Sequence, residues 1–365
     1  VNSELKLLRA KGHEVKLFER TNDGVSGWRG ALNSIWSTTV RNEIEKEILK
    51  FNPDIAHVHN VFHAISPAVY GMIAGQGVPI GQTLHNFRLF CIRGTFERKG
   101  RICERCEGHS VWRGAVLKCY RDSLSASAMV ATSLQLHRFF RTFEKNVQQY
   151  IVLNEFCRKK FISCGLPGKK IAVKPNFIDI SDLGDDHERV GGLYVGRMVI
   201  EKGIKVLADA LRLASSPITA IGDGPAAHFL RGVDGAEFIG QTTREKVIER
   251  MRRAAYLVMP SVWYETFGLV MIEAFACRLP VIASNIGAMA ELVEDSKTGL
   301  LFKAGSASDL AEKLKWAEAH PLEMRRMGNA ARLKYEQSFT SDRNYEQLIA
   351  IYEKTIRTWN SHRVD

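Results

Sequence analysis

The stretch YLVMPSVWYETFGLVMIEA, residues 256–274, decides the fold, since an apolar strand, a glycine turn and an apolar helix follow one another in it. Gly268 lets a ligand approach the helix that begins near Leu269, whose free N–H groups suit a phosphate. Glu265 stands just before this helix and Glu273 lies within it, roughly 12 Å and about 80° apart. Two glutamates on a solvated face are the alternative, but the apolar neighbours predict a buried helix, where unpaired carboxylates are costly. The stretch therefore predicts two carboxylates that accept ligand hydroxyl groups on either side of a phosphate.

The same alternation of short apolar strands and helical patterns extends along the chain on both sides of this stretch. The predicted strands are Glu14–Phe18, Ile55–His59, Ile80–His85, Tyr150–Leu153, Gly192–Val195, Ile218–Ile221, Glu237–Ile239, Tyr256–Pro260 and Val281–Ala283. The predicted helices are Ser3–Ala10, Ile204–Leu213, Arg244–Arg253, Leu269–Cys277 and Arg343–Thr358. Continuous apolar strands that alternate with helices are typical of parallel sheets covered on both faces. The sequence therefore predicts the α/β class, with two Rossmann-like, doubly wound domains.

The alternation pauses once, at residues 169–186, where a polar, acidic stretch precedes the next strand. We place the linker there, which gives an N-terminal domain over residues 1–172 and a C-terminal domain over residues 173–340. The last segment, residues 341–365, is amphipathic and is expected to cross back onto the first domain. Because the chain opens on a helix that leads into a predicted strand, we expect an earlier strand to precede it.

Composition narrows the range of partners without choosing among them. The 365 residues are 45% hydrophobic and 25% charged, as in ordinary globular proteins, and no run reaches the ~20 apolar residues that span a bilayer. The net charge of +11 favours a nucleic acid, an anionic membrane surface or a phosphorylated small molecule, and a solvated basic face explains it equally well. We expect a cytoplasmic protein that can work at the inner face of a membrane.

Three further glycine turns follow predicted strands of the second half, at Gly196, Gly222 and Gly240. The first is followed by Arg197 and Lys202, which project from the carboxyl edge of the sheet, where open α/β folds bind ligands. Two cations beside a helix N-terminus suit a diphosphate, whereas a structural ion pair with a neighbouring acid is the alternative. The other two turns have an equally simple structural explanation, because glycine is favoured wherever φ is positive.

Residues 88–120 interrupt the alternation with four cysteines in the spacing Cys-x11-Cys-x2-Cys-x12-Cys. The four are Cys91, Cys103, Cys106 and Cys119. This spacing can close a tetrahedral thiolate site for a structural zinc ion, which would hold a loop too polar to bury a core; reduced cysteines or one disulfide are the alternatives. The segment is also rich in Arg and Lys and contains Phe96 and Trp112, so a nucleic-acid-binding zinc module is a rival hypothesis that we rank lower.

In its motifs the chain resembles a family 4 glycosyltransferase along nearly its whole length. The motifs are PDIAHVHN (53–60), GQTLHN (81–86), YVGRMVIEKG (194–203), IGDGP (221–225), PSVWYETFGLVMIEA (260–274), PVIASNIGAMAEL (280–292) and TGLLF (298–302). The resemblance implies the GT-B fold, with two Rossmann-like domains that face a cleft. It implies a retaining, metal-independent hexosyl transfer from a UDP-, GDP- or ADP-sugar to a glycan or lipid-linked acceptor, in cell-surface polysaccharide assembly.

The resemblance also implies a role for each matching residue. Donor binding falls to Gly196, Arg197, Lys202, Gly222, Gly240, Glu265, Phe267, Gly268, Leu269 and Glu273. Of these, Arg197 and Lys202 would hold the diphosphate, Glu265 the transferred sugar and Glu273 the ribose. His85 matches a histidine near the reaction centre, and with Arg197, Lys202 and Glu265 it completes the implied catalytic set.

Two departures from the family pattern bear on these roles. The family's first strand and its Gly-rich loop are absent from this sequence, so part of the acceptor side is expected to be missing. The usual double glycine before Glu291 reads Gly287-Ala288-Met289-Ala290 here, which can reshape the pocket around the donor sugar. A catalytically inactive nucleotide-sugar-binding protein is the remaining alternative, and the intact Glu265 and Glu273 argue against it. No nucleic-acid partner is expected.

Overall fold

The computed structural model describes residues 1–21, 37–62, 65–180 and 189–364, with residues 362–364 described by their backbone alone. The helices are α1 (Asn2–Ala10), α2 (Thr38–Phe51), α3 (Val69–Gly75), α4 (Trp112–Val116), α5 (Leu124–Phe139), α6 (Thr142–Asn146), α7 (Glu155–Ser163), α8 (Ile204–Ala214), α9 (Arg244–Arg253), α10 (Leu269–Ala276), α11 (Gly287–Leu292), α12 (Ala307–Ala319), α13 (Pro321–Ser338) and α14 (Ser341–Val364). The strands are β1 (Ala56–Val58), β2 (Ile80–Thr83), β3 (Glu97–Arg98), β4 (Arg101–Ile102), β5 (Gln149–Val152), β6 (Ile171–Val173), β7 (Gly192–Val195), β8 (Ile218–Ile221), β9 (Ala236–Gly240), β10 (Tyr256–Met259), β11 (Val281–Ser284) and β12 (Gly299–Phe302). Within these ranges, no helix is both long enough and apolar enough to cross a membrane.

The chain folds into two compact units. Unit 1 comprises Val1–Thr95, Glu104–Lys174 and Tyr345–Asp365, and unit 2 comprises Phe96–Cys103 and Pro175–Asn344. Each unit is built on its own parallel sheet. The predicted α/β class is therefore confirmed.

Unit 1 contains a parallel sheet of four strands in the order β1-β2-β5-β6. Strands β2 and β5 are buried along their whole length, because short apolar strands in a parallel sheet are covered on both faces. Helix α14 belongs to this unit, where Leu348 and Ile351 pack against Leu8 of α1 and Ile151 of β5. The last helix of the chain thus completes a core that the first residues begin.

The strand predicted at Glu14–Phe18 is wrong. None of the described strands pairs with residues 14–18, and a strand exists only where a neighbour completes its hydrogen bonds. Instead, Arg9 Nη2 donates to the Val15 carbonyl (2.9 Å), and Val15 packs against the apolar cluster of α1 and α14. Conversely, Ile171–Val173 lies in the predicted linker but pairs with β5 as a strand of unit 1. Residues 181–186 of that linker lie outside the described ranges.

Unit 2 contains six parallel strands in the order β12-β11-β10-β7-β8-β9. Helix α8 forms because Ile204, Leu207, Ala208 and Leu211 recur at helical spacing, and all four are buried in the core. The chain adds strands on one side of β7 as far as β9 and then continues on the other side with β10. The order of strands reverses at β7, and open α/β sheets bind ligands at the carboxyl ends of strands beside such a reversal.

The cysteine-bearing insertion buries an apolar core of its own, although we expected it to be too polar to do so. Ile92 and Val111 pack against Val130 and Leu134 of α5. Cys103 belongs to unit 2 and the other three cysteines of the insertion to unit 1. Among the described residues, no three cysteine sulfurs lie within 4.8 Å of one another. Apolar packing therefore holds this segment in its place, and a structural zinc ion bound by the four cysteines stays a prediction.

Within the insertion lies an antiparallel hairpin that the alternating pattern did not indicate. Strands β3 and β4 pair through Glu97 with Ile102 and Arg98 with Arg101. The preceding ring, Phe96, is 0% exposed and so is not available to stack on a base. Of the two rings proposed to stack on nucleic-acid bases, Phe96 is therefore inaccessible.

Candidate functional site

The carboxyl ends of β7, β8 and β9 are joined by backbone hydrogen bonds at glycines. The Gly196 N–H donates to the Ile221 carbonyl (3.0 Å), and the Gly222 N–H donates to the Gly240 carbonyl (2.8 Å). A Cβ atom at Gly222 would lie 1.9 Å from the Gly196 oxygen, so the approach of two strand ends requires glycine there. The three predicted glycines lie along one edge of the sheet, and the simple structural explanation holds for Gly222.

Arg197 and Lys202 follow β7 with different surroundings. Arg197 is exposed, and no acidic side chain among the described residues pairs with it. Its carbonyl accepts a hydrogen bond from the Tyr194 hydroxyl (2.9 Å), which fixes the backbone of the turn. Lys202 Nζ donates to Oε1 of Glu265 (2.7 Å). Lys202 therefore does form a structural ion pair, but its partner is another predicted site residue.

Glu265 is 8% exposed and is held through a single carboxylate oxygen. Besides Lys202, Oε1 accepts hydrogen bonds from Ser261 Oγ (2.8 Å) and Trp263 Nε1 (2.7 Å). The Lys202 ammonium also lies 5.8 Å from the centre of the Trp263 ring, within the range of a cation–π interaction. These contacts satisfy a buried carboxylate that would otherwise be costly.

Helix α10 begins where the sequence predicted, immediately after Gly268. This glycine has a φ of 99°, and no side chain in the described part of the molecule caps the helix, so its first N–H groups can serve an anion. Glu273 lies near the other end of α10, and its Oε1 accepts a hydrogen bond from Arg244 Nε (3.0 Å). Arg244 is 56% exposed, so this second pair lies at the surface.

In unit 1, His85 follows β2 and belongs to a chain of polar side chains. Its Nε2 lies 2.9 Å from Nδ1 of His59, and the two rings are stacked with their planes 19° apart. His59 Nε2 lies 3.7 Å from a carboxylate oxygen of Glu4. The other oxygen of Glu4 accepts a hydrogen bond from the buried ammonium of Lys174 (2.6 Å).

Burial determines which of these polar side chains in unit 1 carry a charge. It lowers the pKa of His57 to about 4, that of His59 to about 2 and that of His85 below its ordinary value. Burial alone would raise the pKa of Glu4, but Lys174 and His57 lower it to about 2.

One ligand atom from each of Glu4, His57 and His59 lies within 4.8 Å of the other two, a spacing that suits a metal ion. Because the Lys174 ammonium already stands beside Glu4 and would repel a second cation, we interpret the group as a satisfied polar core.

The predicted set did not include three residues that contact it: Ser261, Trp263 and Arg244. Ser261 and Trp263 stand just before Glu265 in the sequence, and a hydroxyl and an indole N–H beside a buried carboxylate were the available signal. Arg244 carried no such signal, because it opens a helix with several other basic residues.

Both halves of the chain match known families. Residues 3–182 match the model described as Glycosyltransferase Family 4, and residues 179–334 match that of Glycosyl transferases group 1. A sulfoquinovosyl transferase of Arabidopsis thaliana is 32% identical over 345 residues, which cover 87% of this chain and 61% of that protein. An uncharacterized glycosyltransferase of Methanocaldococcus jannaschii is 24% identical over 281 residues, which cover 75% of each protein.

A solved structure agrees with this assignment at the level of the fold. HepE from Anabaena, crystallised in complex with UDP-glucose, superposes with a TM-score of 0.62 at 17% sequence identity. The superposition covers 98% of this chain and 89% of that chain.

Proposed function

Because this chain belongs to the family 4 glycosyltransferases and has their GT-B fold, we propose that it transfers a hexosyl group from a nucleoside-diphosphate sugar, with retention of the anomeric configuration. The acceptor is the hydroxyl group of a glycan or a lipid-linked sugar, in cell-surface polysaccharide assembly. The observation that carries the proposal is the placement of Lys202 against Glu265 beside the strand reversal of unit 2, with no acidic partner for Arg197 among the described residues.

The positive groups of unit 2 suit a diphosphate leaving group. As the acceptor oxygen bonds to the anomeric carbon, the bond from that carbon to the phosphate oxygen breaks, and its electron pair leaves with the nucleoside diphosphate. A phosphate oxygen takes the proton of the acceptor. Arg197 and the uncapped start of α10 stabilise the negative charge that develops, and Lys202 can join them since an ammonium has three N–H donors. This scheme assigns no step to a divalent metal.

Of the remaining predicted residues, two glutamates bind the donor and His85 contacts the acceptor. Glu265 accepts hydroxyl groups of the transferred sugar, and Glu273 uses the oxygen that Arg244 leaves available to accept a ribose hydroxyl. In unit 1, His85 has a lowered pKa and so presents a neutral imidazole at pH 7. We assign this neutral ring to a hydrogen bond with the acceptor.

A thermal-shift and turnover screen of UDP-, GDP- and ADP-sugars tests the proposal. We expect one nucleotide series to raise the unfolding temperature, because a ligand at about 100 times its Kd stabilises the folded state by about 2.7 kcal/mol. Transfer to an acceptor is expected to give a product with the anomeric configuration of the donor, read by NMR. If no nucleotide stabilises the chain, the donor-site assignment is wrong. Binding without transfer to any acceptor would favour the inactive nucleotide-sugar-binding protein.

We further propose that the enzyme is cytoplasmic and contacts the anionic inner face of a membrane through exposed side chains of residues 112–141 in unit 1. This segment exposes the apolar side chains Trp112, Val116, Leu124, Phe139 and Phe140. It also exposes the cations Arg113, Lys118, Arg121 and Arg141. Apolar rings flanked by cations suit the boundary between acyl chains and anionic headgroups.

Vesicle sedimentation tests this membrane contact. We expect the protein to sediment with phosphatidylglycerol vesicles and to be released by high salt, because salt screens headgroup attraction. Phe139→Ser is expected to weaken binding several-fold, whereas Leu322→Ser, which alters an exposed apolar residue of unit 2, should not. Binding to an oligonucleotide but not to the vesicles would instead support the nucleic-acid hypothesis.

A further inference from the structure

The hydrogen-bond donors around Glu265 are divided unequally between its two oxygens. Oε1 accepts three hydrogen bonds, from Lys202, Ser261 and Trp263, at 2.7, 2.8 and 2.7 Å. Oε2 accepts none from the part of the chain that the structure describes, and it is not among the buried side-chain atoms without a partner. A carboxylate has about four acceptor positions in all, so three donors saturate Oε1. The acceptor that remains for a ligand is Oε2.

We propose that Ser261 and Trp263 are positioning residues that bind Oε1 of Glu265, so that Oε2 accepts a hydroxyl group of the transferred sugar. This inference rests on the proposed function and deepens it. It requires a donor whose transferred group carries a free hydroxyl that can donate to Oε2.

Ser261 and Trp263 are suited to holding Glu265 still. Ser261 is 1% exposed and lies two residues after β10, so its hydroxyl is fixed by the end of a buried strand. The indole of Trp263 is large and has few rotamers, and its N–H is its only hydrogen-bond donor. A lysine ammonium on a flexible stem defines a direction less well than these two groups do. Lys202 therefore supplies charge, while Ser261 and Trp263 supply orientation.

The backbone links these groups to the diphosphate side of the site. The Val262 N–H donates to the Glu201 carbonyl (3.0 Å), so the loop that carries Ser261 and Trp263 is tied to the turn that carries Lys202. The same indole that donates to Glu265 lies against the Lys202 ammonium. The aromatic ring at position 263 therefore serves the Lys202 end of the ion pair, and its N–H serves the Glu265 end.

Single substitutions separate orientation from folding. Trp263→Phe keeps an aromatic ring beside Lys202 but removes the N–H, and Ser261→Ala removes the hydroxyl, which Ser261→Thr restores. Trp316→Phe is the matched control, since Trp316 stacks on His320 within unit 2 and is not among the described donors to Glu265. For each variant, kcat and KM are measured with the best substrate among UDP-glucose, GDP-mannose and ADP-glucose. The affinity of the matching nucleoside diphosphate is measured alongside.

We expect Trp263→Phe and Ser261→Ala each to lower kcat about tenfold, as the loss of a hydrogen bond to a charged group does. The Kd of the nucleoside diphosphate should stay within about twofold, since that ligand lacks the sugar that Oε2 binds. Ser261→Thr and Trp316→Phe should retain wild-type kcat. The wild type should also reject one of the 2-, 3-, 4- and 6-deoxy donors by about tenfold, and Trp263→Phe should reject it less.

Three results would overturn the inference. If neither variant changes kcat although the nucleotide binds, the positioning role fails and the donor site stands. If kcat, nucleotide affinity and unfolding temperature fall together in both variants, the two side chains are only structural. If no nucleotide binds to the wild type, this inference and the proposed function fail together.

Discussion

Replacing Gly203 with alanine is expected to destabilise unit 2 by at least about 4 kcal/mol, a large part of the total stability of a domain. Gly203 has a φ of 73°, a conformation that L residues adopt at a cost of about 1 kcal/mol or more. Its added Cβ would lie 1.8 Å from the carbonyl oxygen of Pro260, so the backbone after β10 would have to move. That movement would also disturb Ser261, which binds Glu265.

Gly232→Ala is the matched control for this substitution. Gly232 has the same φ of 73°, and a Cβ atom there meets none of the described residues within 4 Å. We expect it to cost only about 1 kcal/mol, from the backbone conformation alone. Chemical denaturation measures the free energy of unfolding of both variants. Equal decreases would show that the close approach to Pro260 does not contribute to the effect of Gly203→Ala.

Removing the side chain of Glu265 is expected to lower kcat/KM for sugar transfer about a thousandfold, or about 4 kcal/mol of transition-state stabilisation. Glu265→Ala deletes the acceptor for the transferred sugar and leaves Ser261 and Trp263 without their common partner. It also releases Lys202, which can then donate fully to the diphosphate. The affinity for the free nucleoside diphosphate should therefore stay equal or increase.

Glu273→Ala, unlike Glu265→Ala, should weaken binding of the nucleoside diphosphate. Its loss removes the ribose acceptor, so we expect the nucleoside diphosphate to bind about tenfold more weakly. Glu312→Ala, an exposed position on α12, should change neither quantity. Calorimetry measures the affinity of each variant for the nucleoside diphosphate, and initial rates measure its sugar transfer. Together they distinguish the three variants. A Glu265→Ala variant that keeps more than about a tenth of the activity would exclude the assigned role.

The strand, turn and helix that carry Glu265 and Glu273 were predictable because their signals are local. Gly268, Glu265 and Glu273 mark a strand, a turn and a helix within nineteen residues, and the structure has all three elements there. The packing at Gly222 was likewise indicated by a glycine at a strand end. Such features depend on backbone conformation and on neighbours close in sequence, which one sequence displays.

Features that depend on distant partners were not predictable. Residues 14–18 have the composition of a strand but no strand to pair with. The cysteine-bearing insertion was expected to be too polar to bury a core, whereas Ile92 and Val111 find apolar partners on α5. The convergence of Ser261 and Trp263 on one oxygen of Glu265 depends on side-chain direction, which spacing does not encode.

The place of α14 in unit 1 has a consequence for synthesis of the protein. Leu348 and Ile351 complete a core with Leu8 and Ile151, which leave the ribosome long before them. Translation runs at about 5–20 residues per second, so the apolar surface around Leu8 and Ile151 stays uncovered while unit 2 is synthesised. Residues 175–344 of unit 2 lie between the parts of unit 1 in the sequence, so unit 1 can finish folding only after unit 2 has been synthesised. Chaperones that shield nascent chains are therefore expected to engage the N-terminal half.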